Sequence, residues 1–349
     1  MAQSQPPVLD LQPPLLNSAN PWATTLEDLR ALYYCTSTGA VTTRTSLIQG
    51  FAHDSAIHQH LFFTTGHHSV ARDRDLLSGP ENASLNTLGY SPISLDGYLG
   101  FIRTIASSQS PAPPPGKYFI ISVTGSPEEV AECYKVIASA KRDIPTPLAV
   151  EINLSCPNIP GAPPPAYSGM ALAKYLTVLS SLIASNPDLP RLPFGLKTPP
   201  YTHAAEYQTL IDALLDSTAG GAEGTSPLSF ITATNTLGSC LVLSSGDGGG
   251  DDPASPTPSL PGAGIGGMAG APLHPLALGN VATIRRMLDE HPGALGHVRV
   301  VGVGGVLDAG GYRRMRAAGA AAVGVGTGLG LRGVGIFREI ERGLGGKWK

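Results

Sequence analysis

Cys156 lies in Asn153-Leu154-Ser155-Cys156-Pro157-Asn158, a thiol set between two amides directly after the mostly apolar run 148–152. Cysteine in a folded chain usually packs as a small inert hydrophobe. Serine, proline and asparagine on either side argue instead for a loop at a strand end, where a thiolate can serve as a base. The loop continues as Ile159-Pro160-Gly161-Ala162-Pro163-Pro164-Pro165. Its prolines fix φ and its one glycine supplies a pivot, which suits a semi-rigid flap over a pocket. Lys197 ends another apolar run in Gly195-Leu196-Lys197-Thr198-Pro199-Pro200-Tyr201. A lysine at a strand end is ordinarily solvated, but the adjacent prolines and its position in the strand order favour an inward ammonium.

Short β-branched or apolar runs alternate with amphipathic segments along almost the whole chain, the pattern of βα units and a parallel sheet. The runs lie near 14–19, 40–45, 118–123, 148–154, 193–197, 230–235, 298–303 and 321–326, and the helical segments near 26–34, 95–106, 127–140, 170–184, 203–215, 277–290, 309–318 and 333–344. Eight such pairs predict a TIM (β/α)8 barrel of the α/β class, with its chemistry on the loops at the C-terminal ends of the strands. Polar and glycine residues collect at those ends: Ser18 and Ala19, Arg44 and Thr45, Asn153, Lys197, Asn235, Gly304 and Gly305, and Gly326 and Thr327.

Gly302-Val303-Gly304-Gly305 and Gly324-Val325-Gly326-Thr327 follow the seventh and eighth strands. That is the pair of loops from which many such barrels build a phosphate site out of backbone N–H groups. Gly264-Ile265-Gly266-Gly267 is expected to add a third close backbone approach. A single phosphate fits a mononucleotide-like cofactor. FMN in particular calls for a cation near its pyrimidine edge when reduced, a place Lys197 suits.

Composition narrows the partners. The 349 residues suffice for one large barrel, read as a single domain. With 43 Gly, 32 Pro, 14% charged and 42% hydrophobic residues, the chain is loop-rich but too apolar for disorder. A net charge of −3 with no basic block offers no footprint for nucleic acid or anionic lipid. The uncharged stretch 317–331 is glycine-rich and too short to span a membrane. Four cysteines, at 35, 133, 156 and 240, are widely spaced, follow no secretory signal, and read as reduced cytosolic thiols. Segments 244–261 and 110–116 read as a flexible insertion and a stiff linker. His53, His58, His60, His67 and His68 lack a zinc-site frame and read as a polar surface loop, so no metal site is expected.

Segments 153–161, 197–201, 234–236, 264–267, 303–305 and 326–327 resemble, in order, segments of the dihydroorotate dehydrogenase family, and the likeness runs from Leu15 to about Leu344. The cysteine loop is similar to that of the cytosolic, fumarate-reducing class (class 1A), since the membrane-associated class carries serine as the base. The resemblance implies oxidation of dihydroorotate to orotate in pyrimidine synthesis. Cys156 would remove the C5 proton while hydride passes from C6 to N5 of FMN, with Lys197 as the second catalytic residue and fumarate as electron acceptor. It implies substrate contacts from Arg44, Asn86, Leu88, Gly89, Asn153, Asn158, Asn235 and Thr236. It implies flavin contacts from Ser18, Ala19, Arg44, Thr45, Asn153, Lys197, Thr234, Gly266, Gly304, Gly305, Gly326 and Thr327. A cytoplasmic homodimer follows from the same class.

The chain also departs from the family. Arg44 stands where a lysine is typical, Asn17-Ser18-Ala19-Asn20 replaces Asn-Ala-Ser-Gly, and Asn86-Thr87-Leu88-Gly89-Tyr90 replaces Asn-Ser-Met-Gly-Leu. Three alternatives stay open: a related dihydropyrimidine as substrate, NAD used through a partner subunit, and a non-catalytic flavin-binding paralogue.

Overall fold

The structure is a computed structural model that describes residues 5–108, 114–158, 163–220, 224–244 and 256–348. The chain starts the barrel with β1 (Leu15–Asn17), α1 (Leu26–Tyr33) and β2 (Ala40–Thr42). It then leaves the barrel for β3 (His60–Phe63), β4 (Val70–Ala71) and β5 (Ala83–Asn86). It returns through α2 (Leu95–Ala106), β6 (Tyr118–Val123), α3 (Pro127–Ala140), β7 (Leu148–Asn153), α4 (Gly169–Ser185), β8 (Phe194–Thr198), α5 (Ala204–Asp216) and β9 (Phe230–Ala233). A second excursion makes β10 (Leu237–Leu241), β11 (Leu243–Ser244), β12 (Thr257–Pro258) and β13 (Ile265–Gly270). The chain closes with α6 (His274–Asp289), α7 (Pro292–Leu295), β14 (Arg299–Val303), α8 (Ala309–Ala317), β15 (Ala322–Val325), α9 (Thr327–Arg332) and α10 (Gly335–Leu344).

Eight strands close in the order β1-β2-β6-β7-β8-β9-β14-β15, each pair parallel. All eight strands expected from the sequence are present, and the barrel class is as expected. Period-two alternation builds it. In β7, Val150 and Ile152 face the helices in the outer core, while Ala149 joins Leu16, Ile120, Phe230 and Val301 inside the barrel, with Leu9 and Leu11 of the N-terminal segment in the same cluster. Gly195 is glycine because a Cβ there would collide with the Phe230 ring. Helix starts are specified locally: Thr25 with Asp28 and Ser126 with Glu129 form capping boxes on α1 and α3.

The seam between β1 and β2 has a single paired register position, Leu16 with Ala40. Asn17, fully buried, reinforces it: Oδ1 accepts from Thr42 N at 3.0 Å and Nδ2 donates to Thr42 O at 2.6 Å. A side-chain amide thus supplies both halves of a ladder rung just below the rim.

The two excursions combine into a five-stranded antiparallel sheet, β10-β13-β5-β3-β4. It was not expected from the sequence. Arg74 fastens it to α9, with Nε donating to Gly330 O at 2.8 Å and a terminal nitrogen to Leu329 O at 3.1 Å. The histidine-rich stretch is therefore corrected in part: His60 opens β3, whose Leu61 and Phe63 are buried, whereas His67 and His68 are exposed. The apolar alternation of β3 is only four residues long and is masked by polar neighbours. Residues 245–255 and 159–162, most of the expected insertion and the first part of the expected flap, lie outside the described residues, as does 110–113 of the linker. The described flanks of the insertion pair with each other as β11 and β12.

Candidate active site

A cavity of about 980 Å³, counting its open mouth, lies at the C-terminal ends of the barrel strands. One wall comes from β7 and β8. Asn153 and Lys197 are register partners at the ends of those strands and both point into the cavity. Lys197 is 3% exposed, and no carboxylate of the described residues lies within salt-bridge distance of it. Cys156 follows in the loop after β7 and lines the same wall, half-buried.

Burial pushes the Cys156 thiol above its ordinary pKa. The Asn158 backbone N–H and the charges of Lys197 and Arg44 pull it back without winning. Arg44, after β2, donates from one terminal nitrogen to Gly89 O and Tyr90 O, both at 3.1 Å. Half of its fork is spent holding the loop after β5, a task a lysine could share only in part.

The amides form two hydrogen-bonded sets. Asn158 Nδ2 donates to Asn86 Oδ1 at 2.9 Å and to Leu88 O at 3.0 Å, joining the cysteine loop to β5. Asn235 Nδ2 donates to Ser155 Oγ at 3.0 Å, and Ser155 Oγ to Asn153 Oδ1 at 2.9 Å. Asn153 Nδ2 donates to Thr45 Oγ1 at 3.0 Å, and Thr45 Oγ1 lies 2.9 Å from Ser122 Oγ. Ser122 Oγ donates to Glu151 Oε1 at 2.9 Å, and Thr232 Oγ1 to Oε2 at 2.8 Å. Glu151 is 2% exposed, inside the barrel beneath the cavity. A carboxylate only accepts, and a hydroxyl has one proton to give. Ser122 therefore spends its proton on Glu151 and accepts from Thr45, Thr45 accepts from Asn153, and the Asn153 amide can face only one way.

The opposite side of the cavity is made of glycine turns. Gly304 and Gly305 follow β14 with φ of +142° and +65°, values that favour glycine. Gly326 and Thr327 follow β15, and Ser18 and Ala19 follow β1. Thr234 lies between the two sides, and its Oγ1 is buried without a hydrogen-bond partner among the described residues. Leu88, Gly89 and Thr236 also line the cavity.

Of the residues expected at the site, Gly266 alone does not reach the cavity. It sits in β13, where a Cβ would strike Asn86 O, so its close approach is to β5. The glycine of β13 that lines the cavity is Gly270.

Several lining residues escaped the sequence reading. Trp22 lies at the cavity beside His60, ring centroids 5.4 Å apart and edge-on, and stacks on Phe62. Burial first and the Arg44 charge second push the His60 pKa below its ordinary 6.5, so a neutral imidazole faces the cavity at neutral pH. Ser84 of β5 shares a 2.8 Å hydrogen bond with Thr327. Their signal was weak, because the second sheet that carries His60 and Ser84 has no barrel periodicity.

The family model described as Dihydroorotate dehydrogenase matches residues 75–347. The chain belongs to the dihydroorotate dehydrogenase family. It is 34% identical over 212 residues to a dihydroorotate dehydrogenase (fumarate) of Trypanosoma brucei brucei, covering 59% of this chain and 57% of that one. It is 29% identical to one of Trypanosoma cruzi, covering 74% and 71%, and 26% identical to dihydroorotate dehydrogenase A (fumarate) of Lactococcus lactis, covering 65% and 61%. The match thus spans less than two thirds of the first and third of these relatives. A crystal structure of ligand-free DHODH from Eimeria tenella superimposes with a TM-score of 0.64 at 17% identity, over 95% of this chain and 83% of that one, a likeness of fold. No helix among the described residues is long and apolar enough to cross a membrane.

Proposed function

We propose that the chain is an FMN enzyme that oxidises dihydroorotate to orotate in pyrimidine synthesis. The observation that carries this reading is the convergence on one cavity of a thiol, two cations and four amides, beside two glycine turns. Its fit to FMN rests on those turns, on the partnerless Thr234 Oγ1, and on the Lys197 ammonium without a carboxylate. In this reading Gly304, Gly305, Gly326 and Thr327 hold the phosphate, and Ser18, Ala19, Thr45, Asn153, Thr234 and Lys197 hold the ring system. Bound FMN supplies the two-electron acceptor.

The protein's own part is proton transfer and orientation. Cys156 Sγ, as thiolate, takes the proton from C5 of the substrate. Asn86, Asn153, Asn158 and Asn235, with Thr236, offer donors and acceptors to a pyrimidine ring without adding charge that would repel its carboxylate. Arg44 supplies the facing positive charge, and Lys197 would set a second positive charge beside the bound flavin. The fumarate-type names of the relatives favour fumarate as the oxidant, entering the same anion site after orotate leaves. We extend the reading to a cytoplasmic homodimer, which sedimentation of the purified chain tests for its assembly.

The deciding experiment is anaerobic mixing of the yellow protein with dihydroorotate. Bleaching of the flavin followed by recovery on adding fumarate supports the reading. Unchanged flavin absorbance rejects dihydroorotate, and bleaching that only another acceptor reverses rejects fumarate. A related dihydropyrimidine is the second reading, favoured by Arg44 and Tyr90 where the family typically has lysine and leucine.

A further inference from the structure

We infer that His274, held by Arg314, is a positioning residue that sets the Gly304–Gly305 turn to receive a phosphate monoester, and so gives the chain a preference for a phosphorylated flavin. This deepens the proposed function and rests on its reading of that turn as the phosphate site.

His274 opens α6 and is 8% exposed, behind the turn and outside the cavity lining. Its Nδ1 lies 2.6 Å from Gly304 O, and its Nε2 lies 3.0 Å from Nε of Arg314 on α8. An arginine Nε only donates, so Nε2 accepts and the ring proton sits on Nδ1, donated to the Gly304 carbonyl. Arg314 thereby selects the tautomer that can hold the turn.

The peptide between Gly304 and Gly305 is planar, so its N–H points opposite to its C=O. With the Gly304 oxygen tied back to His274, the Gly305 N–H is directed away from α6, towards the cavity side. Among the described residues that N–H has no hydrogen-bond partner. It is a free donor where an anion would lie. The turn needs such a tie, because glycines with φ of +142° and +65° have wide freedom and no side chains to fix them. The remaining wall is steric: Ala277 and His274 pack so closely under the two glycines that a Cβ at either would collide. Released from His274, the peptide can turn its carbonyl towards the anion and lose the donor.

The test compares FMN with riboflavin, which lacks only the phosphate, by fluorescence titration of the flavin-free full chain. The ratio of the two dissociation constants isolates the turn. His274→Asn retains a donor at the Nδ1 position. His274→Gln carries its amide out to the Nε2 position, where its oxygen can accept from Arg314 and no donor is left at the Nδ1 position, and His274→Leu retains neither. Loss of one hydrogen bond predicts a fall of about 3- to 10-fold in the FMN preference for the Gln and Leu variants, with Asn close to wild type. Arg314→Gln, an exposed change that leaves the core intact, is expected to lower the preference about 2-fold by freeing the tautomer. A full preference in His274→Leu and His274→Gln overturns the inference alone. Equal weakening for both flavins also overturns it, as the mark of a merely structural residue. A wild-type chain that binds the two flavins equally overturns the phosphate reading itself, and this inference with it.

Discussion

Cys156 has opposing influences on its proton, and the balance sets the pH response. Burial raises its pKa while Lys197 and Arg44 lower it, with a net upward shift. In the proposed reaction the base is the deprotonated form, whose fraction grows with pH. We expect kcat/KM for dihydroorotate to climb with pH between about pH 6 and 10. Lys197→Met removes a charge that favours thiolate and should move that climb to higher pH, as an apparent pKa read from rate profiles. Cys156→Ala should keep its bound flavin and lose roughly 10²- to 10⁴-fold in turnover, the usual weight of a general base. Normal flavin bleaching in that variant would remove the thiol from the reaction. Beneath it, Ser122→Ala breaks the relay from Glu151 to Asn153. Flavin titration should register a loss of about 3- to 10-fold as the Asn153 amide becomes free to turn.

At this scale much of the candidate site was legible. Cysteine, lysine and the asparagines announce themselves by sitting at strand ends beside proline and glycine. Glu151 did not, because one acidic residue inside an apolar run looks like noise until the barrel closes around it. His274 was hidden for a related reason, since its two partners lie 30 and 40 residues further along the chain.

Among the elements, the barrel strands and their helices were readable because they carry their own periodicity, and α1 and α3 their own start signals as well. In β7 the alternation of Val150 and Ile152 with Ala149, Glu151 and Asn153 already encodes outside and inside. The five-stranded sheet was unreadable for the converse reason. Its strands are short, β4 has two residues, and β5 meets β13 across more than 180 residues of chain. Gly266 lies against β5 rather than in the cavity lining, a contact that this long separation hid from the sequence. Packing at β8 offers a check on the barrel interior. Gly195→Ala pushes a Cβ into the Phe230 ring and should cost roughly 1–3 kcal/mol in chemical denaturation, the range of overpacked cores. An unchanged midpoint would mean that Phe230 can move aside.

For the molecule as a whole, Lys117 makes stability depend on alkaline pH. It is 2% exposed, and its ammonium donates to Leu32 O, Cys35 O and Thr38 Oγ1 below the C-terminal end of α1. Burial drops its pKa from 10.5 to about 8. Between those values the unfolded chain holds the extra proton, so stability should rise with pH there, by an amount on the order of 3 kcal/mol at full relief. The buried Cys133 thiol, pushed up to about 12, opposes the trend from about pH 9, and buried tyrosines such as Tyr98, also pushed up to about 12, from about pH 10, because unfolding lets them ionise. The difference in denaturation midpoint between wild type and Lys117→Met isolates the lysine, and it should shift in favour of wild type as pH rises from about 8 to 10.

The chain has two tryptophans, and they sit at opposite ends of the barrel. Trp22 is at the mouth that would take the flavin, whereas Trp348 packs against Tyr312 beside the N-terminal segment. Loading with a yellow chromophore should extinguish the emission of Trp22 more strongly than that of Trp348, whose light then serves as an internal reference. The protein thus carries its own optical gauge of occupancy, readable without a label.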